Sequence, residues 1–312
     1  MDLNSIATFN ELVRSGSIRQ AAEGLNTSPT AVARQLDKLE HAFGIALVER
    51  GPRGIRLTQA GEILAERARL ITQEMTAAGR LIDDLRGLGR GSVSLHLPGV
   101  AASSLLAPAL AEFSRLNPHI EIEANVTSAP AAFEAAASGH SEIAVTMFAP
   151  PDPRLEVLLR LPIRYDPVMS PMHPLAACRE IALADLLCHP LTLPDRSYGL
   201  RRAFDVRMRA AGIAPRAVAF TTASLELQKE LALRGAAVMI LPRSTVLREI
   251  EAATLVQRPF RTQDRIETDL ELCRSLVTQQ SLTARQLSDF LVARLAAPAA
   301  TSPPSGSCGT LT

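Results

Sequence analysis

The sequence predicts an α/β protein with a winged helix-turn-helix at its N-terminus, a long connecting helix, and a larger region of alternating strands and helices. Three patterns predict this fold: two short helices joined by a tight turn, a heptad-spaced helix after a glycine-rich hairpin, and strand–helix alternation beyond Gly91. With 312 residues, the chain is long enough for more than one domain and a sizeable core.

The composition is typical of a globular protein, with 47% hydrophobic residues and a net charge of +1, so any basic surface must be local. No apolar segment follows a basic leader, and no apolar run approaches the about 18 residues that span a bilayer. We therefore expect a cytoplasmic protein without membrane contact. The cysteines show no CxxC pattern and no clustering with histidine, which predicts reduced thiols, no metal and no cofactor. They are Cys178, Cys188, Cys273 and Cys308.

Apolar residues at helical spacing predict three N-terminal helices. The first ends near Gly16, and Ser17 is a suitable N-cap for the second. The third has Ser28 as its predicted N-cap and Pro29 as its first residue, where a missing N–H costs nothing. Gly44 is the predicted helix stop.

The third helix has an uncrowded tip, which suits a recognition helix whose first turn enters the DNA major groove. Thr30, Arg34 and Lys38 lie on one face at i, i+4 and i+8, and Ala33 adds to the solvent side. The alternative is a solvated face on an ordinary helical hairpin. The predicted DNA contacts of this helix are Ser28, Pro29, Thr30, Ala33, Arg34 and Lys38.

A predicted hairpin follows directly and favours the DNA-binding interpretation. Strands at Leu47-Val48 and Ile55-Leu57 flank the turn sequence Gly51-Pro52-Arg53-Gly54. Such a hairpin forms a wing, and Arg50 and Arg53 are placed to meet phosphates or a minor groove. The alternative is a surface hairpin with ordinary arginines.

A long helix is predicted from Thr58, its N-cap, to the glycines at 87, 89 and 91. Its apolar residues alternate in steps of four and three, which is a heptad seam suited to pairing with a second copy of the chain. Packing on its own domain is the alternative. The seam residues are Leu64, Ala68, Ile71, Met75, Ala78, Ile82 and Leu85.

The segment from Ala7 to Arg69 resembles the DNA-binding region of LysR-type transcriptional regulators. The resemblance is carried by SGSIRQAAEGLNTSPTAVARQLDKLEHAFGIALVERGPRGIRLTQAG. Family members usually have Gln at the place of Pro29, Pro or another small residue at Thr30, Ser at Ala33 and Phe at Val48. The resemblance therefore implies the fold and DNA binding, and does not imply an operator sequence.

Beyond Gly91, two sets of alternating elements predict two α/β lobes. Predicted strands are Val93-Leu97, Ile120-Val126, Ile143-Met147, Pro190-Leu193, Val218-Phe220, Ala237-Leu241 and Asp269-Cys273. Predicted helices run from Ala102 to Leu116, Ala131 to Ser138, Leu200 to Ala211, Leu225 to Arg234 and Leu282 to Leu295.

This region is similar to the effector domain of the same family, through LLAPALAEFSRLNPHIEIE, HPLA and RGAAVMILP. The resemblance implies the two-lobed, type 2 fold of periplasmic binding proteins. It also implies the domain organisation: a winged helix-turn-helix at 1–58, a linker and dimerisation helix at 59–90, and an effector domain at 91–296. Lobe I would be 91–161 with 266–296, and lobe II 162–265. The Pro-rich, polar tail at 297–312 is predicted to be disordered.

A small molecule is expected beyond the carboxyl ends of the strands, near helix N-termini. Hydroxyl groups and free N–H donors at these junctions suit a carboxylate or a similar anion, although serine and threonine also cap helices routinely. The predicted effector-binding residues are Ala102, Ser103, Ser104, Thr127, Ser128, Phe148, Ser197, Tyr198, Arg202 and Thr222.

Together these features predict a ligand-responsive transcriptional regulator and not an enzyme, since no nucleophile elbow, metal set or carboxylate pair is evident. The implied partners are a partly dyad-symmetric duplex DNA, a small-molecule effector, a second copy or a tetramer of the chain, and RNA polymerase as a further candidate. The alternatives are a transport solute-binding protein, an enzyme using the cleft, and a DNA-binding protein without effector response. A redox role for Cys178 and Cys188 is a further alternative; only Arg179 flanks them, which favours inert thiols.

Overall fold

The structure is a computed structural model that describes residues 2–51, 54–85, 91–213 and 218–296. The chain divides into two compact units, Met1–Leu88 with Ser138–His140, and Gly89–Ala137 with Ser141–Thr312. The predicted wing residue Arg53, the linker glycines at 87 and 89, and the predicted disordered tail lie outside the described residues.

The N-terminal unit begins with three helices, α1 (Leu3–Ser15), α2 (Ile18–Gly24) and α3 (Pro29–Phe43). The predicted caps are confirmed: the Ser17 hydroxyl accepts from the Gln20 amide, and the Ser28 hydroxyl accepts from the Ala31 amide. Gly16 and Gly44 end α1 and α3 in the left-handed conformation, with φ of 71° and 67°.

One hydrophobic cluster holds this unit together, because the apolar stripes of α1 and α3 face each other and the start of the long helix. Asn10 on α1 adds hydrogen bonds to the Ala68 carbonyl at 3.0 Å and the Thr72 hydroxyl at 2.9 Å. The buried members are Ile6, Phe9, Leu12, Ala21, Ala22, Val32, Leu36, Leu39, Leu47, Val48, Leu64 and Ala68.

The predicted hairpin is confirmed as two antiparallel strands, β1 (Val48–Gly51) and β2 (Gly54–Leu57). The chain then enters α4 (Gln59–Leu85), and the hydroxyl of Thr58 caps this helix by accepting from the Gly61 amide at 3.1 Å. The entry is tight: a Cβ atom on Gly61 would lie 2.0 Å from the carbonyl oxygen of Leu47. Only glycine fits this approach.

The heptad seam along α4 divides between two roles. Leu64 and Ala68 are buried in the core of their own unit, whereas Ile71, Met75 and Ile82 are 37%, 53% and 53% exposed. The first part of the seam therefore packs within its own domain. The exposed part is free, in this single chain, to meet a partner helix.

The second unit is built on one sheet whose strands follow the order β4-β3-β5-β11-β6-β9-β7-β8, with β10 added to β6. Parallel pairs β3/β4 and β3/β5 form one side, and parallel pairs β7/β9 and β7/β8 form the other. The strands are β3 (Ser92–Pro98), β4 (Glu121–Thr127), β5 (Ile143–Met147), β6 (Leu155–Met169), β7 (Leu191–Leu193), β8 (Phe220–Thr221), β9 (Val238–Pro242), β10 (Val256–Gln257) and β11 (Ile266–Ser275).

Helices pack on both sides of this sheet and bury its apolar faces. Short 3₁₀ turns join several strands and helices, at Pro174–Ala177, Leu183–Cys188, Arg243–Val246 and Thr262–Asp264. The α-helices are α5 (Gly99–Ala101), α6 (Ala107–Leu116), α7 (Ala129–Ala137), α8 (Gly199–Ala210), α9 (Leu225–Leu233), α10 (Leu247–Glu251) and α11 (Leu282–Ala296).

Two long antiparallel strands, β6 and β11, connect the two sides of the sheet and were largely missed by the sequence patterns. The 15-residue β6 was not predicted, and β11 extends beyond the predicted Asp269-Cys273 at both ends. The predicted helix from Ala102 starts earlier, at Gly99, and passes through a π-helical turn at Ala102–Leu106. The predicted strand at Val218 begins only at Phe220.

No helix in the described parts of the chain combines the length and the apolar character that a membrane crossing needs.

Candidate nucleic-acid interface and ligand cleft

The tip of α3 is exposed and free of bulky side chains. Ser28, Pro29, Thr30, Arg34 and Lys38 are exposed, and Ala33 is partly exposed. The hydroxyl of Ser28 accepts from the Ala31 amide at 3.2 Å and from the Thr30 hydroxyl at 3.3 Å. The tip is therefore capped and presents small side chains, with Arg34 one turn behind Thr30.

The side chains behind the tip differ in freedom. Arg34 forms no hydrogen bond or ion pair with any residue that the structure describes, whereas Lys38 lies 3.9 Å from the Asp2 carboxylate. Gln35 is turned back toward α1, where its side-chain oxygen accepts from the Ser5 hydroxyl at 2.7 Å. Arg34 is thus the cation of this face that is exposed and unpaired among the described residues.

The N-terminus of α1 is fixed to α3 through Ser5. Its amide donates to the Asp2 carboxylate at 2.8 Å, and its one hydroxyl proton is shared between that carboxylate and the side-chain oxygen of Gln35, each 2.7 Å from the hydroxyl oxygen. These hydrogen bonds lower the pKa of Asp2, with a smaller contribution from Lys38. The carboxylate is therefore charged at neutral pH and holds the start of α1 beside the recognition helix.

The predicted wing residues are only partly described. Arg50 lies on β1, opposite Ile55 of β2, so its backbone belongs to the wing. Arg53 lies outside the described residues. Their DNA contacts stay predictions.

The second unit contains a cavity of about 620 Å³ where the carboxyl ends of several strands meet. Its walls come from both halves of the strand order, with β3, β4 and β5 on one half and β9 on the other. Tyr165 of β6 lies between them. The lining residues are Pro98, Gly99, Val100, Val126, Thr127, Ser128, Ala129, Met147, Phe148, Tyr165, Pro194, Tyr198, Gly199, Leu200, Ala223, Ser224, Leu225, Glu226, Gln228 and Leu241. This position is the one that the topology of open α/β sheets favours for a ligand.

Three helices of eight residues or more begin at this cavity, α7, α8 and α9. The hydroxyls of Ser128 and Ser224 accept from the amides of Ala131 and Leu227, so α7 and α9 are capped. Tyr198 stands at the N-cap of α8 and provides no side-chain hydrogen bond. The first turn of α8 therefore has no side-chain cap that competes with a ligand for its backbone N–H donors.

The rest of the cavity is mainly apolar. Within the described chain, its lining holds one charged side chain, Glu226 in the first turn of α9. The Tyr165 hydroxyl donates to the sulfur of Met147 at 2.9 Å, and burial raises the pKa of this phenol far above its usual range. Tyr165 is thus a neutral wall at all physiological pH values.

Phe148 is held in an unusual conformation beside the start of α8. Its φ is 54°, in the left-handed region that bulky residues rarely adopt. Its ring lies 5.8 Å from the Tyr165 ring, and its Cβ would be 2.4 Å from a Cβ placed on Gly199. Gly199 therefore permits the close approach of Phe148 to the helix terminus, and such strain is commonly found at ligand sites.

Four of the predicted effector-binding residues line this cavity: Thr127, Ser128, Phe148 and Tyr198. Six do not. Because the helix after β3 begins at Gly99, it is Gly99 and Val100 that line the cavity. Ala102, Ser103 and Ser104 lie on the π-helical turn that follows.

The other three, Ser197, Arg202 and Thr222, are likewise not among the lining residues. Arg202 folds back and donates to the carbonyl of Ser197 at 2.5 Å, and Ser197 is exposed. Thr222 precedes α9, and its carbonyl accepts from the side-chain amide of Gln228 at 2.7 Å. Among the apolar walls only Phe148 was predicted, because hydroxyls and a cation are the usual signals of an anion site; the other apolar walls occupy the same strand-to-helix junctions.

The cysteines of the second unit differ in exposure. Cys273 is buried, and burial raises the pKa of its thiol to about 11, so it is protonated at neutral pH. Cys188 is exposed and Cys178 is half-buried. The interpretation of the last two as inert thiols stays a prediction.

Comparison with known proteins gives a consistent result along the chain. The model of the LysR substrate binding domain matches residues 86–296, and that of the bacterial regulatory helix-turn-helix protein, lysR family, matches residues 3–62. The HTH-type transcriptional regulator BbuR of Bordetella bronchiseptica is 25% identical over 300 residues, which cover 96% of this chain and 91% of BbuR.

Solved structures share the fold. CbnR, a LysR family transcriptional regulator whose structure with its target DNA is known, matches with a TM-score of 0.68 at 20% identity, over 95% of this chain and 100% of CbnR. LysG of Corynebacterium glutamicum, with the bound effector Arg, matches with a TM-score of 0.52 at 20% identity, over 95% of this chain and 98% of LysG. The predicted fold class is confirmed: the chain belongs to the LysR family of transcriptional regulators, with a helix-turn-helix domain followed by an effector-binding domain.

Proposed function

We propose that this regulator binds a partly dyad-symmetric operator as a homodimer or homotetramer in the cytoplasm, and that a small anionic effector in the cleft modulates its output. The observation that carries the DNA-binding part is the exposed tip of α3. Arg34 on this helix is exposed and has no hydrogen-bond or ion-pair partner among the described residues. CbnR, which shares the fold, is known in complex with its target DNA. RNA polymerase is the further partner through which such binding would change transcription.

The cleft supports a small carboxylate with an apolar body. Amides at the start of α8 are the donors available to a carboxylate, and the positive end of the helix dipole adds to them. Met147, Phe148, Leu200 and Leu241 supply apolar surface around this point. LysG, a structural neighbour, binds the amino acid Arg as its effector.

Ligand binding can change operator binding only if the ligand prefers one arrangement of the protein over another. Coupling of this kind is typically about 1–3 kcal/mol. The walls of the cleft come from strands on both sides of β6 and β11, so a ligand that contacts both would favour one geometry of the sheet.

Replacing Arg34 by alanine tests the DNA-binding part. We expect Arg34→Ala to weaken operator binding by about 1–3 kcal/mol while leaving binding to unrelated duplexes nearly unchanged, because a base contact carries sequence information and a phosphate contact does not. The measurement is a gel shift against the DNA upstream of the gene itself. Arg19→Ala on α2 is the control, since Arg19 already pairs with Glu23 at 3.2 Å. Equal losses on operator and random DNA would assign Arg34 to the phosphate backbone instead.

Replacing Gly199 by alanine tests the effector part. A thermal-shift screen with small carboxylic acids and their amides should find acids that stabilise the protein and amides that do not. The added Cβ of Gly199→Ala would overlap Phe148, so we expect a loss of about 1–3 kcal/mol of stability and loss of the ligand shift.

The matched control for that screen is Ser103→Ala, because Ser103 is exposed and outside the cavity. This variant should keep the shift. A panel without any stabilising acid would favour a DNA-binding protein that has no effector response.

A further inference from the structure

The tip of the recognition helix presents carbon atoms rather than hydrogen-bonding groups. Pro29 has no side-chain donor or acceptor, and Ala33, one turn later, carries only a methyl group. Both have solvent access in the folded unit. A helix tip of this kind cannot distinguish bases through side-chain hydrogen bonds at these two positions.

Both hydroxyls at the tip take part in hydrogen bonds within the protein. The Ser28 hydroxyl accepts from the Ala31 amide at 3.2 Å, as the cap of α3, and from the Thr30 hydroxyl at 3.3 Å. The Thr30 hydroxyl has one proton, and it is directed at Ser28, which leaves the methyl group of Thr30 to add to the apolar surface. Breaking the bond between the Ser28 hydroxyl and the Ala31 amide for a base contact would uncap the helix.

Arg34 provides the strong donors on the same face. It is exposed and has no hydrogen bond or ion pair to the described part of the chain, whereas Gln35 is held by Ser5 and Lys38 lies near Asp2. An arginine in the major groove most often donates two hydrogen bonds to O6 and N7 of guanine. Apolar side chains in the groove contact the 5-methyl group of thymine.

We infer that α3 selects its half-site by one guanine, read by Arg34, and by neighbouring thymine methyl groups, read by Pro29 and Ala33. This inference rests on the proposed DNA-binding function and assigns the bases that it reads. The operator half-site therefore contains a G·C pair next to at least one T·A pair, and the discrimination at the T·A pair comes from a methyl group.

Selected DNA allows the inference to be tested one atom group at a time. The full chain is first used to enrich duplexes from a random pool. In the enriched half-site each thymine is then replaced by deoxyuridine, which removes only the 5-methyl group, and each guanine by 7-deazaguanine, which removes only N7. At one or two thymines we expect roughly fourfold weaker binding, because the burial of one methyl group is lost. At one guanine we expect roughly tenfold weaker binding.

Protein variants connect each base to its residue. Ala33→Gly should abolish the penalty for deoxyuridine at one position, and Arg34→Ala should abolish the penalty for 7-deazaguanine. The matched control is Ala42→Gly in the last turn of α3, which is exposed and carries the same loss of helix propensity, roughly fivefold in a folding equilibrium. It should leave both penalties unchanged.

The outcomes separate this inference from the function on which it rests. If the chain enriches a sequence whose affinity is indifferent to deoxyuridine at every thymine, the methyl readout is wrong and DNA binding stands. If 7-deazaguanine has no effect at any guanine, or its effect survives in Arg34→Ala, the assignment of Arg34 is wrong. If no duplex is enriched at all, the proposed DNA-binding function itself fails.

Discussion

A chain in which Ile71 and Ile82 are both replaced by aspartate should behave as a folded monomer and lose most of its operator affinity. Both side chains lie on the exposed part of the α4 seam, 37% and 53% accessible, so aspartate is tolerated in a single chain. In a paired seam each carboxylate would be buried without a partner, which costs several kcal/mol per charge. Sedimentation velocity should show the mass of a single chain, 33.5 kDa.

Loss of pairing should also reduce operator affinity, since two linked DNA-binding units gain roughly 10²–10⁴ over a single one. Thr76→Asp is the control, because Thr76 is exposed on α4 away from the seam and the variant adds one carboxylate of the same kind to this helix. Circular dichroism of the double variant checks that the fold is retained. An unchanged mass would contradict the seam and require another dimer interface.

A second large effect is expected from a single methyl group at the start of α4. Gly61→Ala should abolish operator binding, because its Cβ would lie 2.0 Å from the carbonyl oxygen and 3.0 Å from the carbonyl carbon of Leu47. Both are backbone atoms, and the same oxygen accepts from the Thr58 amide at 3.0 Å. Relief of the overlap must move the wing or uncap the helix, at a cost of about 3 kcal/mol or more.

Urea unfolding and a gel shift measure this prediction together. Gly79→Ala is the matched control on the same helix, where an added Cβ meets no atom within 4 Å. It should stabilise α4 by about 0.5–1 kcal/mol, because alanine favours a helix interior over glycine. A Gly61→Ala protein with the stability of the parent would show that the approach of α4 to Leu47 is not as close as described.

The N-terminal fold was predictable because its signals are local. Ser17, Ser28, Thr58 and the glycines at 16 and 44 each mark a helix end through a specific cap, and the structure confirms them. The exposed part of the seam was predictable from its period, but the burial of Leu64 and Ala68 was not. Only the packing of α1 against α4 decides which seam residues meet their own domain.

The centre of the second unit was not predictable in this way. Pro162 and Pro167 are atypical of a central strand, since proline lacks the N–H that a ladder uses. Yet β6 runs through both, because β11, β9 and β10 pair along different parts of its length. Such a strand is specified by its partners, which lie far away in sequence.

The cleft shows the same limit at the level of side chains. Thr127, Ser128 and Tyr198 were predicted from their positions at strand-to-helix junctions, and they line the cavity. The folding back of Arg202 onto Ser197 depends on a rotamer, and the start of a helix at Gly99 instead of Ala102 depends on tertiary contacts. Neither is encoded by residue spacing.

The hydrogen bonds of Ser5 have a practical consequence for how the protein should be produced. Asp2 and Gln35 share one hydroxyl, and Lys38 lies 3.9 Å from Asp2, so the first residues adjoin the surface that is proposed to enter the groove. An affinity tag fused ahead of Asp2 would extend from that surface and compete with DNA for it. Binding constants measured on N-terminally tagged protein should therefore be weaker than those measured after the tag is removed.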